Sequence, residues 1–158
     1  MSDTTFETKR GISDVEVSYG HAWVVVSGFP EELTSVRRIQ ALEVLKDSGI
    51  SIDFLKLSLD GFSFVVPEEL GARVQEALCS NGFDAKVLKN RAIIKVSAPS
   101  IREEEGLIAR IAEFIVRNRA NIDSVGDMHS AVLVVVDADS AENAANALRK
   151  CIGKVDFI

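Results

Sequence analysis

The amino-acid sequence predicts an α+β protein made of two copies of one small unit, each with the element order βαββαβ. The main observation is an internal duplication, because residue n matches residue n+70 without a gap in the two halves of the 158-residue chain. A repeat of this length exceeds the roughly 20–50 residues of a solenoid module, so it indicates two small domains. The matched pairs include Ala22 and Ala92, Val26 and Val96, Asp53 and Asp123, Val65 and Val135, and Leu78 and Leu148.

The first repeat begins with a strand and a helix. His21–Ser27 is rich in β-branched and aromatic residues, which predicts a strand. Apolar residues then recur at three-residue steps within Thr34–Ser48, which predicts a helix that buries all of them on one face. These residues are Val36, Ile39, Leu42 and Leu45. Gly49 follows, and glycine commonly ends a helix in the left-handed conformation.

The second half of the first repeat predicts a hairpin, a helix and a last strand. The Asp60–Gly61 pair, a strong signal for a tight turn, joins the strand-like runs Ile50–Leu57 and Phe62–Val66. Pro67 suits the first position of a helix, because its φ is already helical and its missing N–H is not needed there. Ala85–Lys89 then predicts a fourth strand.

The second repeat predicts the same order of elements. Its strands are Ala92–Ser97, Ile122–Gly126, Ala131–Asp137 and Lys154–Phe157, and its helices span about 102–119 and Ser140–Cys151. This order is the split-βαβ, or ferredoxin-like, arrangement, in which an antiparallel four-stranded sheet carries both helices on one face. We therefore predict a flexible tail at 1–10, a first domain at 11–89 and a second domain at 90–158. A short N-terminal strand, Ile12–Ser18, lies outside the repeat and is grouped with the first domain, and the sequence leaves open which of the two sheets it joins.

Composition narrows the class of protein. Hydrophobic residues make up 47% of the chain and charged residues 27%, which is typical of a soluble globular protein. The net charge of −6 repels phosphate backbones, so we expect no nucleic-acid partner. No apolar run approaches the roughly 20 residues that span a bilayer, and the N-terminus lacks the pattern of a signal peptide. These features predict a cytoplasmic protein that does not bind membranes.

No catalytic or metal-binding pattern is present in the sequence. It contains no nucleophile–base motif and no glycine-rich phosphate loop. His21 and His129 lie in different repeats without metal-ligand spacing around them, and Cys79 and Cys151 lack a CxxC pattern. We therefore expect a protein that is not an enzyme and that uses no metal and no cofactor.

Three segments carry a family resemblance. The run GISIDF at Gly49–Phe54 has its partner ANIDSV at Ala120–Val125, and VLVVVDADSAENAANALRK closes the second repeat. Together with the duplicated βαββαβ order, these segments resemble tandem ACT domains, most closely the regulatory region of aspartokinases, over roughly 11–152. The resemblance implies domains that bind small effectors, usually amino acids, at an interface between ACT units and report this to a catalytic domain.

The resemblance also implies where an effector would bind. The loop before the first helix of the family, usually built around a Pro-Gly pair, corresponds to Ser35–Val36 and to Glu105–Gly106. The strand start that carries Asn and an acid corresponds to Ser51–Asp53 and to Asn121–Asp123. The implied ligand-binding residues are Thr34, Ser35, Val36, Ser51, Ile52, Asp53, Glu105, Gly106, Asn121, Ile122 and Asp123. At such a site the N–H groups of a helix N-terminus suit a carboxylate, and a side-chain oxygen suits an ammonium group.

Departures from the family pattern leave more than one function open. Leu57–Ser58 stand where effector-binding aspartokinases often have Gln-Asn, and Glu103–Glu105 place three like charges in the loop that would receive a carboxylate. Asp53 and Asp123 could equally fix turns through their own backbone. We predict a homodimeric module that binds an amino-acid effector and controls a catalytic partner chain. The alternatives are a degenerate ACT pair that serves only in oligomerisation or docking, and a small enzyme without a cofactor.

Overall fold

The computed structural model describes residues 11–154, which form a mixture of strands and helices. The predicted tail at 1–10 and residues 155–157 of the predicted last strand lie outside this range. The strands are β1 Asp14–Ser27, β2 Asp53–Ser58, β3 Gly61–Pro67, β4 Asp84–Ser97, β5 Ile122–Asp127 and β6 Ala131–Asp137. The helices are α1 Thr34–Asp47, α2 Gly71–Ser80, α3 Leu107–Arg117 and α4 Ala138–Arg149, and short 3-10 helices at Glu31–Leu33 and Glu68–Leu70 precede α1 and α2.

The α+β class is confirmed, but the strands form one hydrogen-bonded series rather than two separate four-stranded sheets. Their order is β2-β3-β1-β4-β6-β5. The pairs β1–β3, β2–β3 and β5–β6 are antiparallel. The prediction of separate four-stranded sheets was wrong because β1 and β4, at 14 residues each, are long enough to serve both halves of the chain.

The chain divides into two compact units within these two long strands. Among the described residues, the central unit is Tyr19–Arg91, and the split unit combines residues 11–18 with residues 92–154. Each unit therefore takes four strands. The central unit uses β2, β3 and parts of β1 and β4, whereas the split unit uses the other parts of β1 and β4 together with β6 and β5.

The N-terminal strand falls in the split unit. Ile12 and Val15 are buried in the core of the split unit, and the Ser13 N–H donates to the Ser97 carbonyl at 2.8 Å. The strand is also part of the repeat, because β1 and β4 differ by the same 70 positions as the rest of the chain. Asp14–Ser18 thus occupies in the split unit the place that the start of β4 occupies in the central unit.

The cores of the two units differ in the residues that fill them. The central unit contains an aromatic cluster in which the Phe62 ring lies 5.7 Å from Phe64 and 6.3 Å from Phe29. Phe83 extends this cluster at 5.9 Å from Phe29. The core of the split unit is built instead from valine, isoleucine, leucine and alanine. Its α4 presents Ala141, Ala144, Ala145 and Leu148 to the core.

Helix α1 buries a different face from the predicted one. Ala41 and Leu45 are buried, but Val36 and Ile39 are 52% and 58% exposed. The reason is geometric, since each three-residue step falls about 60° short of a full turn and three such steps rotate the direction by about 180°. Val36 and Leu45 therefore point to opposite sides of α1, and a strip of apolar residues remains on its outer surface.

Asn90 has a left-handed backbone in the middle of β4, with φ of 57°. Gly20 has φ of 78° at the equivalent position of β1. The Asn90 N–H donates to the Glu68 carboxylate at 2.8 Å.

We expect Asn90→Gly to leave the free energy of unfolding nearly unchanged and Asn90→Val to lower it by about 1–3 kcal/mol, because a β-branched residue strongly disfavours this conformation. Urea unfolding of both variants tests this, and equal effects would contradict it.

Candidate functional site

A cavity of about 390 Å³ lies at the N-terminal end of α3, in the split unit. One wall is the loop that connects β4 to α3, and another is Asp127 at the end of β5. The loop makes a series of turns, in which the Ser100 carbonyl accepts the N–H groups of Glu103 and Glu104. Gly106, with φ of 74°, ends these turns and is the residue from which α3 starts. The helix therefore begins at Leu107 rather than near residue 102 as predicted.

Small residues open this cavity. Gly106 and Ala109 line it, and the equivalent positions of the central unit hold Val36 and Ile39. Two branched side chains on the central unit are thus replaced by a hydrogen and a methyl group on the split unit. Asp127 likewise stands where the central unit has Leu57.

The three glutamates of the loop, Glu103–Glu105, have different environments. Glu104 is half-buried, and its Oε2 accepts the Gly11 N–H at 2.9 Å while its Oε1 lies 3.9 Å from an Arg110 nitrogen. This carboxylate therefore holds the N-terminal segment and leaves Glu105 as the exposed acid at the rim. Arg102 also lines the cavity, which then combines one exposed cation with the carboxylates of Glu105 and Asp127.

The first turn of α3 adds backbone donors to these side chains. Leu107, Ile108 and Ala109 line the cavity. The first N–H groups of any helix have no partner within the helix, and the helix dipole adds partial positive charge there. The cavity thus offers donors suited to a carboxylate beside carboxylates suited to an ammonium group.

The predicted residues of the split unit do not all meet at this cavity. Glu105 and Gly106 line it, whereas Asn121, Ile122 and Asp123 follow the other end of α3. An 11-residue helix is about 16 Å long, so it separates the two groups. Strand β5 contributes its last residue, Asp127, to the cavity, whereas its first residue, Ile122, does not line it.

The predicted residues of the central unit are separated in the same way. The Thr34 hydroxyl, at the start of α1, donates to the carbonyl of Pro30 at 2.9 Å, and Ser35 and Val36 are exposed beside it. Ser51 and Ile52 lie beyond the other end of α1, where they line a second cavity of about 330 Å³ with Leu42, Leu45, Lys46, Gly49 and Ile50. Asp53 follows as the first residue of β2.

Asp53 interacts electrostatically with His21 in the central unit. It pairs with Val65 in the β2–β3 ladder, and its charge acts on His21 of β1. Burial lowers the pKa of His21 below its usual value, and the negative charge of Asp53 partly opposes this effect. Asp53 thus has an electrostatic partner within the protein.

Asn121 is engaged through its backbone. Its N–H donates to Asp137 Oδ1 at 2.8 Å, and the Asp137 Oδ2 accepts the Ser140 N–H at 3.2 Å, which makes Asp137 the N-cap of α4. Burial raises the pKa of Asp137, but the hydrogen bonds from Ser140 and from the backbone outweigh it and lower that pKa overall. One carboxylate therefore joins the α3–β5 turn to α4.

We expect Asp137→Ala to lower the free energy of unfolding by about 1 kcal/mol, because it removes an N-cap. The folded-state pKa of Asp137 is lowered, so its contribution is present above the pKa of the unfolded chain and is lost as pH falls through the folded-state value. Urea unfolding at neutral pH and at low pH should therefore show a smaller difference between wild type and variant in acid. Asp14→Ala, at an exposed residue of β1, is the control. A loss that does not shrink in acid would contradict this role.

Comparisons with known proteins agree with this fold. No protein-family model and no curated protein matches the sequence. Among solved structures, the regulatory subunit of aspartate kinase from Thermus flavus matches with a TM-score of 0.75 and 18% identity, over 88% of this chain and 97% of that subunit. Aspartate kinase from Synechocystis matches with a TM-score of 0.79 and 17% identity, over 94% of this chain and 28% of the kinase.

A third match is with a protein solved in complex with ligands. E. coli aspartokinase III, in a complex with lysine and aspartate, has a TM-score of 0.72 and 12% identity, over 92% of this chain and 34% of that one. The chain therefore has the fold of aspartate kinase regulatory subunits, and the resemblance predicted from the sequence is confirmed at the level of fold. Within the described residues, no helix combines the length and the apolarity needed to cross a membrane.

Proposed function

We propose that the chain is a cytoplasmic regulatory module that binds an amino acid and thereby controls a partner enzyme or its assembly. The observation that carries the proposal is the cavity at the start of α3, on a fold shared with aspartate kinase regulatory subunits. In this proposal the backbone N–H groups of Ile108 and Ala109 bind the α-carboxylate, and Asp127 binds the ammonium group. A coupling free energy of about 1–3 kcal/mol would be enough for such control.

Of the residues implied by the resemblance, Glu105 and Gly106 remain in this proposed site. Gly106 supplies the space, and Glu105 adds negative charge at the rim. Asn121, Ile122 and Asp123 stay candidates for a second contact region at the start of β5. In the central unit, Ser51 and Ile52 are candidates for a weaker site in the smaller cavity, with Asp53 beside it, whereas Thr34, Ser35 and Val36 lie away from that cavity.

Thermal unfolding with each of the twenty amino acids tests the proposal. An effector at 100 times its dissociation constant should stabilise the protein by about 2.7 kcal/mol. At roughly 2–4 °C per kcal/mol for a chain of this size, this is a clear shift in Tm. If none of the amino acids shifts Tm, the proposed effector binding is wrong.

Two variants locate the site once an effector is known. Asp127→Asn should weaken binding by roughly tenfold or more, because it removes the charge from a hydrogen bond to an ammonium group. Ala109→Ile should block the cavity with the side chain that the central unit has at this position. Asp53→Asn is the matched control in the central unit, and calorimetric titration measures all three. Loss of binding in Asp53→Asn, with Asp127→Asn unaffected, would move the site to the central unit.

The alternative function is an oligomerisation or docking module that binds no effector. The exposed apolar residues of α1 and β2 favour it, because such residues mark interaction surfaces when they lie together. Failure of every amino acid in the thermal screen, together with a stable assembly in solution, would support this alternative.

A further inference from the structure

Glu104 joins the loop of the cavity to the stretch of chain that leads into β1. We call this stretch, Gly11–Ser13, the N-terminal segment. Glu104 lines the cavity, and its Oε2 accepts the Gly11 N–H at 2.9 Å. Its other oxygen, Oε1, lies 3.9 Å from a nitrogen of Arg110 in the first turn of α3. One half-buried carboxylate therefore contacts the N-terminal segment, the cavity and α3.

The N-terminal segment is closely packed in the split unit. Ile12 is 1% exposed, and its carbonyl accepts the Gly153 N–H at 3.1 Å. Gly11 has φ of 81°, and a Cβ at this position would lie 2.7 Å from the Lys154 carbonyl oxygen. A change at Gly11 must therefore move the segment relative to its neighbours, and Glu104 is one of them.

The central unit provides an internal comparison for this contact. The stretch equivalent to the N-terminal segment is Asn81–Phe83, which leads into β4. Arg37, near the start of α1, donates to the Gly82 carbonyl at 3.3 Å, and its guanidinium lies 4.1 Å from the centre of the Phe83 ring. In both units, a charged side chain near the start of the first helix thus binds the stretch that leads into a long strand.

The two units differ in how this stretch is attached. Asn81–Phe83 follows directly after α2, so the peptide chain itself holds it beside that helix. In the split unit, the corresponding helix is α4, and the N-terminal segment comes from a distant part of the chain. Noncovalent contacts such as that between Glu104 and Gly11 hold it in place. Segments held in this way open locally at a lower free energy than the whole fold.

We propose that Glu104 is a positioning residue that couples the loop of the cavity to the N-terminal segment. The part of this inference that concerns an effector rests on the proposed function. While Gly11 holds Glu104, the loop keeps the shape that forms one wall of the cavity, so an effector binds a preorganised site. By linkage, an effector that favours this shape strengthens the contact with Gly11. Binding thereby acts on the start of β1, a strand that takes part in both units.

Glu104 acts through the loop and not as a ligand of the effector. In the proposed site, the N–H groups of Ile108 and Ala109 bind the carboxylate and Asp127 binds the ammonium group. The negative charge of Glu104 is unsuited to the effector carboxylate. The same charge strengthens the contact with Gly11, because a hydrogen bond to an ionised acceptor is about twice as strong as one between neutral groups.

Amide hydrogen exchange measured by NMR without any effector tests the contact. Glu104→Ala should speed exchange of the Gly11 amide by about tenfold or more, because a hydrogen bond to a charged acceptor is lost. Glu104→Gln keeps an acceptor oxygen and should therefore restore most of the protection. Glu103→Ala, at an exposed residue of the same loop, is the matched control and should leave exchange at Gly11 unchanged. Equal exchange in Glu104→Ala and Glu103→Ala would overturn the inference.

Gly11→Ala tests the coupling in the opposite direction. Gly11 lies outside the lining of the cavity, and the new methyl group displaces the N-terminal segment. Exchange of the Glu103 and Glu104 amides, which donate to the Ser100 carbonyl, should rise by about fivefold or more. The amide of Val134, in the middle of β6, is the reference for general destabilisation. No rise in the loop, or an equal rise at Val134, would overturn the inference.

An effector found in the amino-acid screen adds a third measurement. Its dissociation constant should rise by about fivefold or more in Glu104→Ala and in Gly11→Ala, and Glu104→Gln should restore binding. An effector that binds wild type and both alanine variants equally would overturn the coupling and support the proposed function. If no amino acid binds, the proposed function is wrong, and the exchange measurements still decide whether the loop and the N-terminal segment are coupled.

Discussion

Replacement of Gly61 by alanine should lower the free energy of unfolding by more than about 4 kcal/mol or prevent folding, because the new methyl group has no space. A Cβ at this position would lie 1.9 Å from the Val26 carbonyl oxygen and 2.8 Å from the Val26 carbonyl carbon. Both are backbone atoms of β1, which is held in the β1–β3 ladder by pairs such as Val26 with Phe62. The β1 backbone can move only if this ladder is disrupted. Urea unfolding followed by circular dichroism measures the loss.

The split unit supplies the control for this prediction. Ala131 is the residue equivalent to Gly61, and it is buried with its methyl group in place. Ala131→Gly should cost only about 1 kcal/mol, mainly through the greater freedom of the unfolded chain and a lost methyl contact. If Gly61→Ala cost no more than Ala131→Gly, the close approach of β1 to Gly61 would be wrong.

Phe62→Ala is expected to have the second largest effect, a loss of about 3–5 kcal/mol in the free energy of unfolding. Phe62 is fully buried, and its ring lies against those of Phe29 and Phe64. Removal of the ring leaves a cavity that β3 cannot close, since its neighbours are held in the ladder. Denaturant unfolding monitored by circular dichroism gives the value.

The equivalent residue of the split unit is again the control. Val132 is buried among aliphatic side chains, so Val132→Ala should cost about 2 kcal/mol, in proportion to the two carbon atoms that it removes. Losses of similar size for the two substitutions would show that the aromatic cluster does not dominate the core of the central unit.

Most of the fold could be predicted from the sequence because the same order of strand and helix patterns occurs in both repeats. The strands around Val24 and Ile94 alternate between buried and less buried residues, which is a local signal, and those around Phe64 and Val134 are buried almost throughout, as their apolar runs indicate. The predicted hairpin is also a local signal and it forms, although its turn lies at Leu59–Asp60 and Gly61 is the first residue of β3. The sheet that takes the N-terminal strand could not be predicted, because pairing of Ser13 with Ser97 joins residues far apart in the chain and local periodicity carries no information about such partners.

The predicted site residues fall at separate places in each unit. Glu105 and Gly106 were found through a resemblance of sequence, and they line the cavity. Residues at both ends of α1 and α3 were grouped together, although the length of a helix separates them. The signal that could have found Asp127 was present in the repeat, since a carboxylate stands at the position equivalent to Leu57.

The sequence by itself determined the two repeats, the order of their elements and the residue types at each pair of equivalent positions. Only the tertiary structure decided which strand closes each unit, which face of α1 is buried and which side chains surround the cavity. The physical reason is the separation along the chain over which each signal acts. Helix and strand periodicity act over a few residues, whereas ladder partners and cavities depend on where distant segments pack in space.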